Sequence, residues 1–438
     1  MRVAIIGAGV SGNVCAWLLH DRHEVTLFET NSRPGGHTNT VDVTAFDGEY
    51  AVDTGFMVFN ERTYPNFIAL LRRLGISGQP SDMSFSVRCD RTGLEYQGSS
   101  LSGLFAQRRN LVRPRFYRML AEILRFNQQA TQLRESIDDQ QTLDAFLREQ
   151  RFSSDFVNAY LVPMTAAIWS APAQRVLEMP ARFLFQFCHN HGLLQIRDRP
   201  VWQTVPGGAR RYVKALLKPL GACVRLNVAV EFVRRHDREV VLTTNDGQQQ
   251  RFDVVVFACH ADQALRMLAE PTKLETETLN QFPYQSNLAV LHTDTRPLPR
   301  RRAAWASWNY VVSADTTQPV SVTYDLNRLQ SLGAPAPICV TLNDRTSLDA
   351  QKIIAEIEYQ HPVFGAGTLA AQQAQRQLNG QRRSFYCGAY WRYGFHEDGV
   401  VSALTVCEQF GRSMEGWDED LAARFERRYA TATAPMSE

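Results

Sequence analysis

Short apolar runs rich in β-branched residues alternate with helical patterns in separate parts of the chain. Arg2–Ile6 is predicted as a strand that passes through a glycine-rich turn into a helix around Val14–Leu19, and Glu24–Phe28 is predicted as a second strand. The same alternation returns near residue 200, with further predicted strands at Val224–Leu226 and Phe252–Ala258. Strands that alternate with helices are typical of α/β proteins with a parallel sheet. We therefore predict an α/β fold.

The stretches between these parts have other patterns. Residues 60–74 have the apolar spacing of an amphipathic helix that ends at Gly75, and long helical patterns predominate from about 80 to 200. Apolar and polar positions alternate over several short runs between 280 and 345. At this length two interleaved domains are expected. We predict one domain made of 1–75, 201–268 and 379–438, and a second domain made of the helical segment 76–200 and the mixed sheet 269–378.

Gly7, Gly9 and Gly12 follow the first predicted strand in the spacing G-x-G-x-x-G. In dinucleotide-binding proteins the first glycine permits a tight turn, the second lets the pyrophosphate approach the backbone, and the third lets the helix pack on the sheet. The helix that begins near Val10 then offers free N–H groups and its positive dipole end to the pyrophosphate. Glu29 ends the second strand, where an acid binds ribose hydroxyls. The alternative interpretation is that Glu29 caps an ordinary exposed strand end and binds no ligand.

Two further segments continue the motif. Arg33–Thr38 places two adjacent glycines after the second strand, and Val52–Phe56 contains the sequence D-T-G. With these segments the chain resembles the flavin amine oxidase and phytoene desaturase superfamily of FAD-dependent oxidoreductases, in which both segments line FAD. The resemblance implies that the first predicted domain is a Rossmann-like, glutathione-reductase-like nucleotide-binding domain of the amine oxidase type that holds FAD. It implies that the second is an inserted α+β substrate domain.

The resemblance also implies which residues of the first and central blocks hold FAD. The P-G-G sequence at 206–208 and the strand Asp253–Ala258 match the family's central block, in which Val230 aligns with a valine that contacts adenine. An unrelated β-meander is the alternative interpretation of this block. The implied FAD contacts are Gly7, Gly9, Val10, Ser11, Gly12, Glu29, Thr30, Arg33, Gly35, Gly36, His37, Thr38, Gly55, Phe56, Met57, Val230 and Ala258.

The C-terminal block at 384–399 resembles the family's last motif, a strand followed by an acid and a glycine that open a helix, here from Val400 to about Phe410. The N-terminus of such a helix stabilises the negative charge of reduced flavin. Asp398 is predicted as the N-cap of this helix. The acid that the family has after the Cys387–Gly388 pair is absent, so we expect Glu397 to take over its contacts. The implied FAD contacts here are Gly388, Glu397, Asp398, Gly399 and Val400.

The substrate half offers fewer signals, because hydride transfer to a flavin depends on positioning and a dry pocket more than on charged catalysts. Many amine oxidases of the superfamily keep a lysine after the central block. In this chain the corresponding segment, 287–294, contains none of the four lysines (Lys214, Lys218, Lys273 and Lys352), which weakens an interpretation as an amine oxidase.

Aromatic residues supply the candidates for a substrate pocket, because such rings suit an elongated apolar substrate. Those considered are Trp169, Trp202, Trp305, Trp308, Tyr310, Tyr390, Trp391 and Tyr393. Trp391, Tyr393 and His396 adjoin the flavin motif and are the catalytic-pocket candidates. His37 and Cys387 are alternative points for covalent flavin attachment. His189 and His191 diverge on a helix and have no evident third partner, so no metal site is predicted.

Composition narrows the range of partners and compartments. The 47 basic and 45 acidic residues leave a formal net charge of +2, which disfavours a nucleic-acid partner. The eight cysteines form no C-x-x-C pair, and the N-terminus lacks the pattern of a secretory signal, so we predict a cytoplasmic protein. The arginine-rich amphipathic stretch Arg108–Arg118 predicts peripheral contact with the inner membrane surface, and a solvated helix face is its alternative.

The sequence as a whole is similar to a bacterial subgroup of the superfamily, described as NAD/FAD-binding or amine-oxidase-like proteins. Members are often associated with cyclopropane-fatty-acid-synthase-like methyltransferases, which implies a lipid or fatty-acyl substrate. The resulting hypothesis is an FAD-dependent oxidoreductase that takes hydride from a lipophilic substrate such as a modified fatty acyl chain. The alternatives are a flavin amine oxidase and a flavin-bound, non-catalytic partner of a lipid-modifying methyltransferase.

Overall fold

Strands from distant parts of the chain combine into five sheets. The structure is a computed structural model that describes residues 1–169, 173–195, 198–313, 321–365 and 367–429, and within these ranges the chain forms twenty strands. In chain order the strands are β1 (Arg2–Ile6), β2 (Glu24–Phe28), β3 (Thr40–Ala45), β4 (Gly48–Asp53), β5 (Phe59–Asn60), β6 (Gln79–Pro80), β7 (Phe85–Cys89), β8 (Leu94–Gln97), β9 (Trp202–Thr204), β10 (Val224–Arg225), β11 (Val230–Arg235), β12 (Val240–Thr244), β13 (Gln249–Phe252), β14 (Val254–Phe257), β15 (Tyr284–His292), β16 (Trp308–Val312), β17 (Ser321–Asp325), β18 (Cys339–Leu342), β19 (Ile353–Pro362) and β20 (Ser384–Tyr386).

Helices cover both large sheets. The α-helices of the described residues are α1 (Val10–Leu19), α2 (Pro65–Arg73), α3 (Leu101–Leu104), α4 (Pro114–Leu133), α5 (Leu143–Glu149), α6 (Ser154–Phe156), α7 (Val162–Trp169), α8 (Ala173–Glu178), α9 (Ala181–Asn190), α10 (Arg210–Leu217), α11 (Ala261–Met267), α12 (Lys273–Leu279), α13 (Leu326–Leu329), α14 (Thr368–Gln373), α15 (Gln375–Leu378), α16 (His396–Gln409) and α17 (Glu419–Tyr429). A π-helical turn, Val157–Leu161, joins α6 to α7. In the part of the chain that the structure describes, no helix combines the length and apolarity needed to cross a bilayer.

A five-stranded parallel sheet forms the first layer, in the order β10-β2-β1-β14-β20. Ile5 lies opposite Leu27 and Val256 in the register. Alternate residues of β1 belong to different cores: Val3 and Ile5 pack with α1, α10 and α16, whereas Ala4 and Ile6 pack with β11–β13 and α11. Because both faces are buried, the strands are continuous apolar runs. The five strands come from 1–75, 201–268 and 379–438, the segments assigned to the nucleotide-binding domain.

A seven-stranded mixed sheet forms the second layer, in the order β19-β15-β18-β17-β16-β7-β8. Its neighbours are antiparallel except β7 and β16, which are parallel. Helices α4 to α9 cover one face through a cluster of phenylalanine rings that includes Phe126, Phe146 and Phe185. The strands come from 76–200 and 269–378. Within the predominantly helical stretch 80–200, the structure adds the short strand β8, which is anchored by the Tyr96 hydroxyl; this hydroxyl donates to the Ala159 carbonyl at 2.8 Å.

Two local predictions differ from the structure. The central block contains both of the alternatives that the sequence left open, because an antiparallel meander, β11-β12-β13, directly precedes the parallel strand β14. The last helix of the FAD-binding block begins at His396 and not at Val400, with Phe395 as its N-cap. Asp398 is therefore the third residue of α16, and its prediction as the N-cap is wrong. Its Oδ2 instead accepts the backbone N–H groups of Phe395 at 2.9 Å and Tyr393 at 3.2 Å.

Candidate functional site

The glycine-rich turn forms one end of a large cavity. Gly7 has a φ of +104°, and its N–H donates to the Phe28 carbonyl at 2.8 Å, which ties the ends of β1 and β2 together. A Cβ on Gly12 would lie 1.9 Å from the Gly7 carbonyl oxygen, so this glycine permits the contact between α1 and the turn. A Cβ on Gly9 would meet nothing within 4 Å, and Gly9 lines the cavity. Open space in front of the N-terminus of α1 fits the pyrophosphate of a dinucleotide.

Glu29 lies at the end of β2 and lines the same cavity. Its Oε2 accepts the Ala8 N–H at 2.9 Å, and its Oε1 accepts both the backbone and side-chain N–H groups of Asn31, each at 2.9 Å. These three donors orient the carboxylate, and its remaining lone pairs are directed to a ligand such as a ribose diol. Val230, the residue aligned with the adenine contact, and Thr30 also line the cavity.

The segment 33–38 packs directly on the glycine-rich turn. The Gly35 N–H donates to the Ala8 carbonyl at 2.7 Å, and a Cβ on Gly36 would lie 3.3 Å from the Gly9 Cα. Both residues have positive φ angles, of +116° and +57°, and both line the cavity. Arg33 donates to the Gly36 carbonyl at 3.0 Å, so this arginine also braces its own turn.

His37 lines the cavity and carries an unpaired polar atom. Its Nε2 is buried and has no hydrogen-bond partner among the described residues. Its ring stacks on Tyr359 at 5.0 Å and lies 5.3 Å from His361. Burial holds the pKa of His37 well below its usual value, so the ring is neutral. A buried nitrogen without a protein partner is expected to form a hydrogen bond with a ligand atom. Together with the open space over Gly9, this nitrogen indicates that these residues fit a cofactor.

A hydrogen-bonded group supports the segment 55–57. His396 stacks face to face on Phe56, with ring centroids 3.6 Å apart, and its Nε2 lies 2.5 Å from the Tyr212 hydroxyl and 3.2 Å from Thr38 Oγ1. Burial lowers the pKa of His396 to about 3. Phe56, Met57 and His396 line the cavity, whereas Thr38 lies behind the wall. His396 therefore acts as a neutral, positioned group at the cavity surface.

Asp53 connects this region to the substrate domain. Its buried carboxylate accepts hydrogen bonds from the Thr40 hydroxyl at 2.5 Å, the Ala209 N–H at 3.0 Å and Gln330 Nε2 at 2.8 Å. Burial raises the pKa of Asp53 to about 7, while these donors act in the opposite direction. Thr54 and Gly55 follow Asp53 in the chain and line the cavity. The hydrogen bonds of Asp53 therefore fix the backbone at this part of the cavity wall.

The C-terminal block lines the cavity with its first part and supports it with the residues after His396. Gly388 lines the cavity, but Glu397, Asp398, Gly399 and Val400 do not. The Ser11 hydroxyl donates to the Gly399 carbonyl at 2.9 Å, and a Cβ on Gly399 would lie 2.5 Å from Val10 Cγ1, so α16 packs closely on α1. Val400 is fully buried in the core.

Glu397 binds the N-terminus of a neighbouring helix. Its Oε2 accepts the Phe67 N–H at 2.8 Å, and its Oε1 accepts the backbone N–H of Asn66 at 3.0 Å and its side-chain N–H at 2.7 Å. Both oxygens are thus committed to the first turn of α2. The expectation that Glu397 replaces the family's acid is not supported by this position, because its carboxylate is turned away from the cavity.

Replacing Glu397 with alanine is expected to lower the free energy of unfolding by about 2 kcal/mol, because three donors of α2 lose their acceptor. The FAD dissociation constant should stay within about twofold of the wild-type value. Urea denaturation and fluorescence titration with FAD measure the two quantities separately. A large loss of FAD affinity with unchanged stability would instead place Glu397 at the cofactor. Glu397→Gln, which keeps one acceptor, is expected to lose less stability.

The remaining aromatic candidates divide into two groups. Trp169, Trp202, Trp308 and Tyr390 line the cavity, whereas Trp305, Tyr310, Trp391 and Tyr393 do not. Trp391 packs on Phe282 and Tyr390 in the core. The Tyr393 ring lies 5.2 Å from that of Phe183, and the Tyr393 carbonyl accepts a hydrogen bond from Trp169 Nε1 at 3.2 Å. Of the three catalytic-pocket candidates, the structure brings only His396 to the cavity. Cys387, a candidate for covalent attachment, is fully buried behind the wall, 3.9 Å from the Cys15 sulfur.

Sequence reasoning missed several polar and aromatic residues of the cavity, among them Tyr359, His361 and His260. Tyr359 and His361 extend from β19, and His260 follows β14, with its ring stacked on Tyr284 at 4.1 Å. The Tyr359 hydroxyl lies 2.8 Å from Thr54 Oγ1 and accepts a hydrogen bond from Asn39 at 3.0 Å. Burial lowers the pKa of His361 to about 4. Tyr359 and His361 lie more than 300 positions from the glycine-rich turn along the chain, so no local spacing indicates them. His260 lies two residues after Ala258, so its place beside the predicted central block was a signal that could have found it.

The cavity continues into the substrate domain and has a volume of about 1920 Å³. Helices α4, α7 and α9 form its roof, and strands β7, β8 and β16–β19 form its floor. The roof residues are Leu120, Ile123, Leu124, Met164, Ala167, Ile168, Trp169 and Phe187. The floor residues include Phe85, Tyr96, Trp308, Tyr324, Leu342 and Ile357. The glycine-rich turn and the apolar roof therefore border one cavity.

Comparison with known proteins shows which protein family has this sequence and this arrangement of elements. The sequence model of the family described as flavin containing amine oxidoreductase matches residues 10–324. AofH of Mycobacterium tuberculosis, named as a candidate flavin-containing monoamine oxidase, is 28% identical over 336 residues, which cover 74% of this chain and 70% of that protein.

Two solved structures have the same fold over nearly their whole lengths. Cyclohexylamine oxidase from Brevibacterium oxydans has a TM-score of 0.70 and 17% identity, covering 97% of this chain and 99% of that one. The CLA-producing fatty acid isomerase from P. acnes has a TM-score of 0.67 and 16% identity, covering 93% of this chain and 98% of that one. Identities this low establish the shared fold alone.

Proposed function

The chain belongs to the flavin-containing amine oxidoreductase family, and from this premise we propose that it is an FAD-dependent oxidoreductase that oxidises the acyl chain of a lipophilic substrate. FAD is the family's cofactor, and it supplies the hydride acceptor when bound. Gly9, the N-terminus of α1, Glu29 and His37 would hold the dinucleotide, and Phe56 and His396 would support it.

The apolar roof of the cavity carries this proposal, whereas the floor also includes Glu356 and Glu358. Within the described residues, the cavity-lining positions of α4, α7 and α9 include no carboxylate and no lysine, and their surface is aliphatic or aromatic. Such a wall binds a hydrocarbon chain through burial of apolar surface. It also excludes water from the reacting carbon, which is the chief requirement of hydride transfer. The role of the protein in the reaction is therefore to bind the substrate, orient it and exclude water from its reacting carbon.

The absorption spectrum during anaerobic mixing tests the proposal. We expect purified protein to show flavin bands that a lipid extract bleaches, while a panel of amines leaves them unchanged. Ile168→Asn introduces a polar group into the roof and should slow bleaching by lipid about tenfold, equivalent to about 1.4 kcal/mol, without changing the oxidised spectrum. Ile354→Asn, at an exposed apolar position outside the cavity, is the matched control. Failure of every lipid fraction to bleach the flavin would overturn the proposal.

Amine oxidation is the second candidate, and the likeness to AofH and to cyclohexylamine oxidase favours it. No lysine lines the cavity among the described residues, which argues against the water-linked lysine that many amine oxidases of the superfamily use. Bleaching by amines, followed by peroxide release in air, would select this candidate. A methyltransferase partner, implied by the resemblance in sequence, stays a prediction that pull-down from a bacterial lysate can test.

A further inference from the structure

Exposed apolar side chains are concentrated in one segment of the surface. Ten large apolar residues are exposed in the part of the chain that the structure describes, and five of them lie in residues 101–125, which we call the rim segment. These five, with their exposed fractions, are Leu101 (76%), Leu111 (50%), Val112 (81%), Tyr117 (45%) and Leu124 (52%). Single exposed apolar residues need no explanation, but such a concentration marks an interaction surface.

The same segment carries an uncompensated positive charge. Between Gly98 and Ala121 the sequence has five arginines and no aspartate or glutamate. Arg118 lies 3.5 Å from Glu122, but among the described residues Arg108, Arg113 and Arg115 have no carboxylate within ion-pair distance. Apolar and cationic side chains that alternate on one surface are complementary to an anionic lipid bilayer, because the former enter the acyl region and the latter contact the headgroups.

The rim segment also borders the substrate cavity. Leu104, Leu120, Ile123 and Leu124 line the cavity, and Leu124 is half exposed as well, so α4 separates the cavity from solvent. Val201 likewise lines the cavity while 68% of its surface is exposed. The apolar interior is thus continuous, through Leu124, with the apolar and basic surface outside.

We infer that the rim segment docks the open side of the cavity on an anionic membrane surface, so that an acyl chain passes from the bilayer into the cavity without crossing water. This inference rests on the proposed function for the identity of the chain that enters. Leu111 and Val112 insert among the acyl chains, and Arg108, Arg113 and Arg115 bind lipid phosphates. Transfer along a continuous apolar path avoids the cost of exposing a long hydrocarbon chain to water.

Co-sedimentation of the FAD-loaded protein with vesicles tests the docking. We expect binding to phosphatidylglycerol-containing vesicles at low salt, loss of binding at high salt, and weak binding to pure phosphatidylcholine. Leu111→Ser with Val112→Ser, and separately Arg113→Gln with Arg115→Gln, should each lower the partition coefficient about tenfold. None of these four residues lines the cavity. Phe232→Ser and the pair Arg72→Gln with Arg73→Gln, at exposed positions elsewhere, are the matched controls and should bind like wild type.

Flavin bleaching by detergent-solubilised lipid separates this inference from the proposed function. The rim variants should bleach at the wild-type rate in detergent and more slowly with vesicles. Absence of binding to anionic vesicles at low salt would overturn the docking, even if detergent-solubilised lipid bleaches the flavin. Vesicle binding without bleaching would overturn the proposed function alone. If the same variants convert a dimer to a monomer in light scattering and vesicles are not bound, a second copy of the chain covers the segment, and the docking is again overturned.

Discussion

Replacing Gly9 with valine is expected to give a folded protein that no longer retains FAD. Gly9 has φ −72° and ψ −175°, which any residue can adopt, and its Cβ would meet nothing within 4 Å. The new side chain therefore costs the fold little. It projects into the space that the pyrophosphate must enter to reach the N–H groups of α1. We expect the FAD dissociation constant to rise at least about 100-fold, equivalent to about 2.7 kcal/mol.

Gly12→Ala is the informative comparison for Gly9→Val. A Cβ on Gly12 would lie 1.9 Å from the Gly7 carbonyl oxygen and 3.1 Å from the Ala258 Cβ. This variant should lose thermal stability and FAD together, whereas Gly9→Val should keep the melting temperature of the FAD-free protein. Thermal unfolding of FAD-free protein and fluorescence titration with FAD measure both effects. Retention of FAD by Gly9→Val would show that the cofactor does not approach this turn.

Acidification below about pH 6.5 is expected to destabilise the protein steeply. Burial lowers the pKa of five histidines from the usual 6.5 to about 3 or 4, so the unfolded chain binds protons that the folded chain does not. These residues are His23, His191, His292, His361 and His396. Stability from a lowered histidine pKa is present above the unfolded pKa and is lost as the pH falls below it.

Two buried carboxyls oppose this trend in part. Burial raises the pKa of both Asp53 and Asp398 to about 7, so the folded chain holds their protons between about pH 4 and 7. The net uptake on unfolding is about three protons, and the free energy of unfolding should fall by about 4 kcal/mol per pH unit near pH 5.5. Urea titrations from about pH 7.5 down to about pH 5 measure this slope. A flat profile would contradict the neutral, buried state of these histidines.

His23→Phe isolates the contribution of one histidine. The ring of His23 lies between Phe410 and Trp417, at 5.7 and 5.6 Å, and neither ring nitrogen has a hydrogen-bond partner among the described residues. Phenylalanine keeps the ring contacts and removes the titration. We expect the variant to be more stable than wild type, with a difference that grows by about 1.4 kcal/mol per pH unit below pH 6.5. His236→Phe, at an exposed position, is the control for replacing a histidine with phenylalanine elsewhere in the chain.

In the C-terminal block, the motif was sufficient to predict a helix but not the hydrogen-bond partners of its acidic residues. The motif predicted a helix in this block, but the helix begins earlier than expected and its acids have other partners. Asp398 accepts hydrogen bonds from the backbone N–H groups of Phe395 and Tyr393. Glu397 accepts hydrogen bonds from the backbone N–H groups of Asn66 and Phe67. The contacts of Asp398 are local and could have been considered from the sequence. The partner of Glu397 lies 330 residues away, and no spacing in the sequence indicates it.

The sequence by itself determined the cofactor half of this protein. A strand, a glycine turn and a helix are formed by neighbouring residues, and the space over Gly9 follows from the absence of a Cβ there. The pattern of residues is therefore sufficient to predict a pyrophosphate site. Only the tertiary structure decided the substrate half. Its wall combines side chains from positions as distant as Phe85 and Ile357, chosen by the packing of two layers and not by any period along the chain. The same packing placed Trp391 and Tyr393 behind the wall and turned Leu124 toward both the cavity and the solvent.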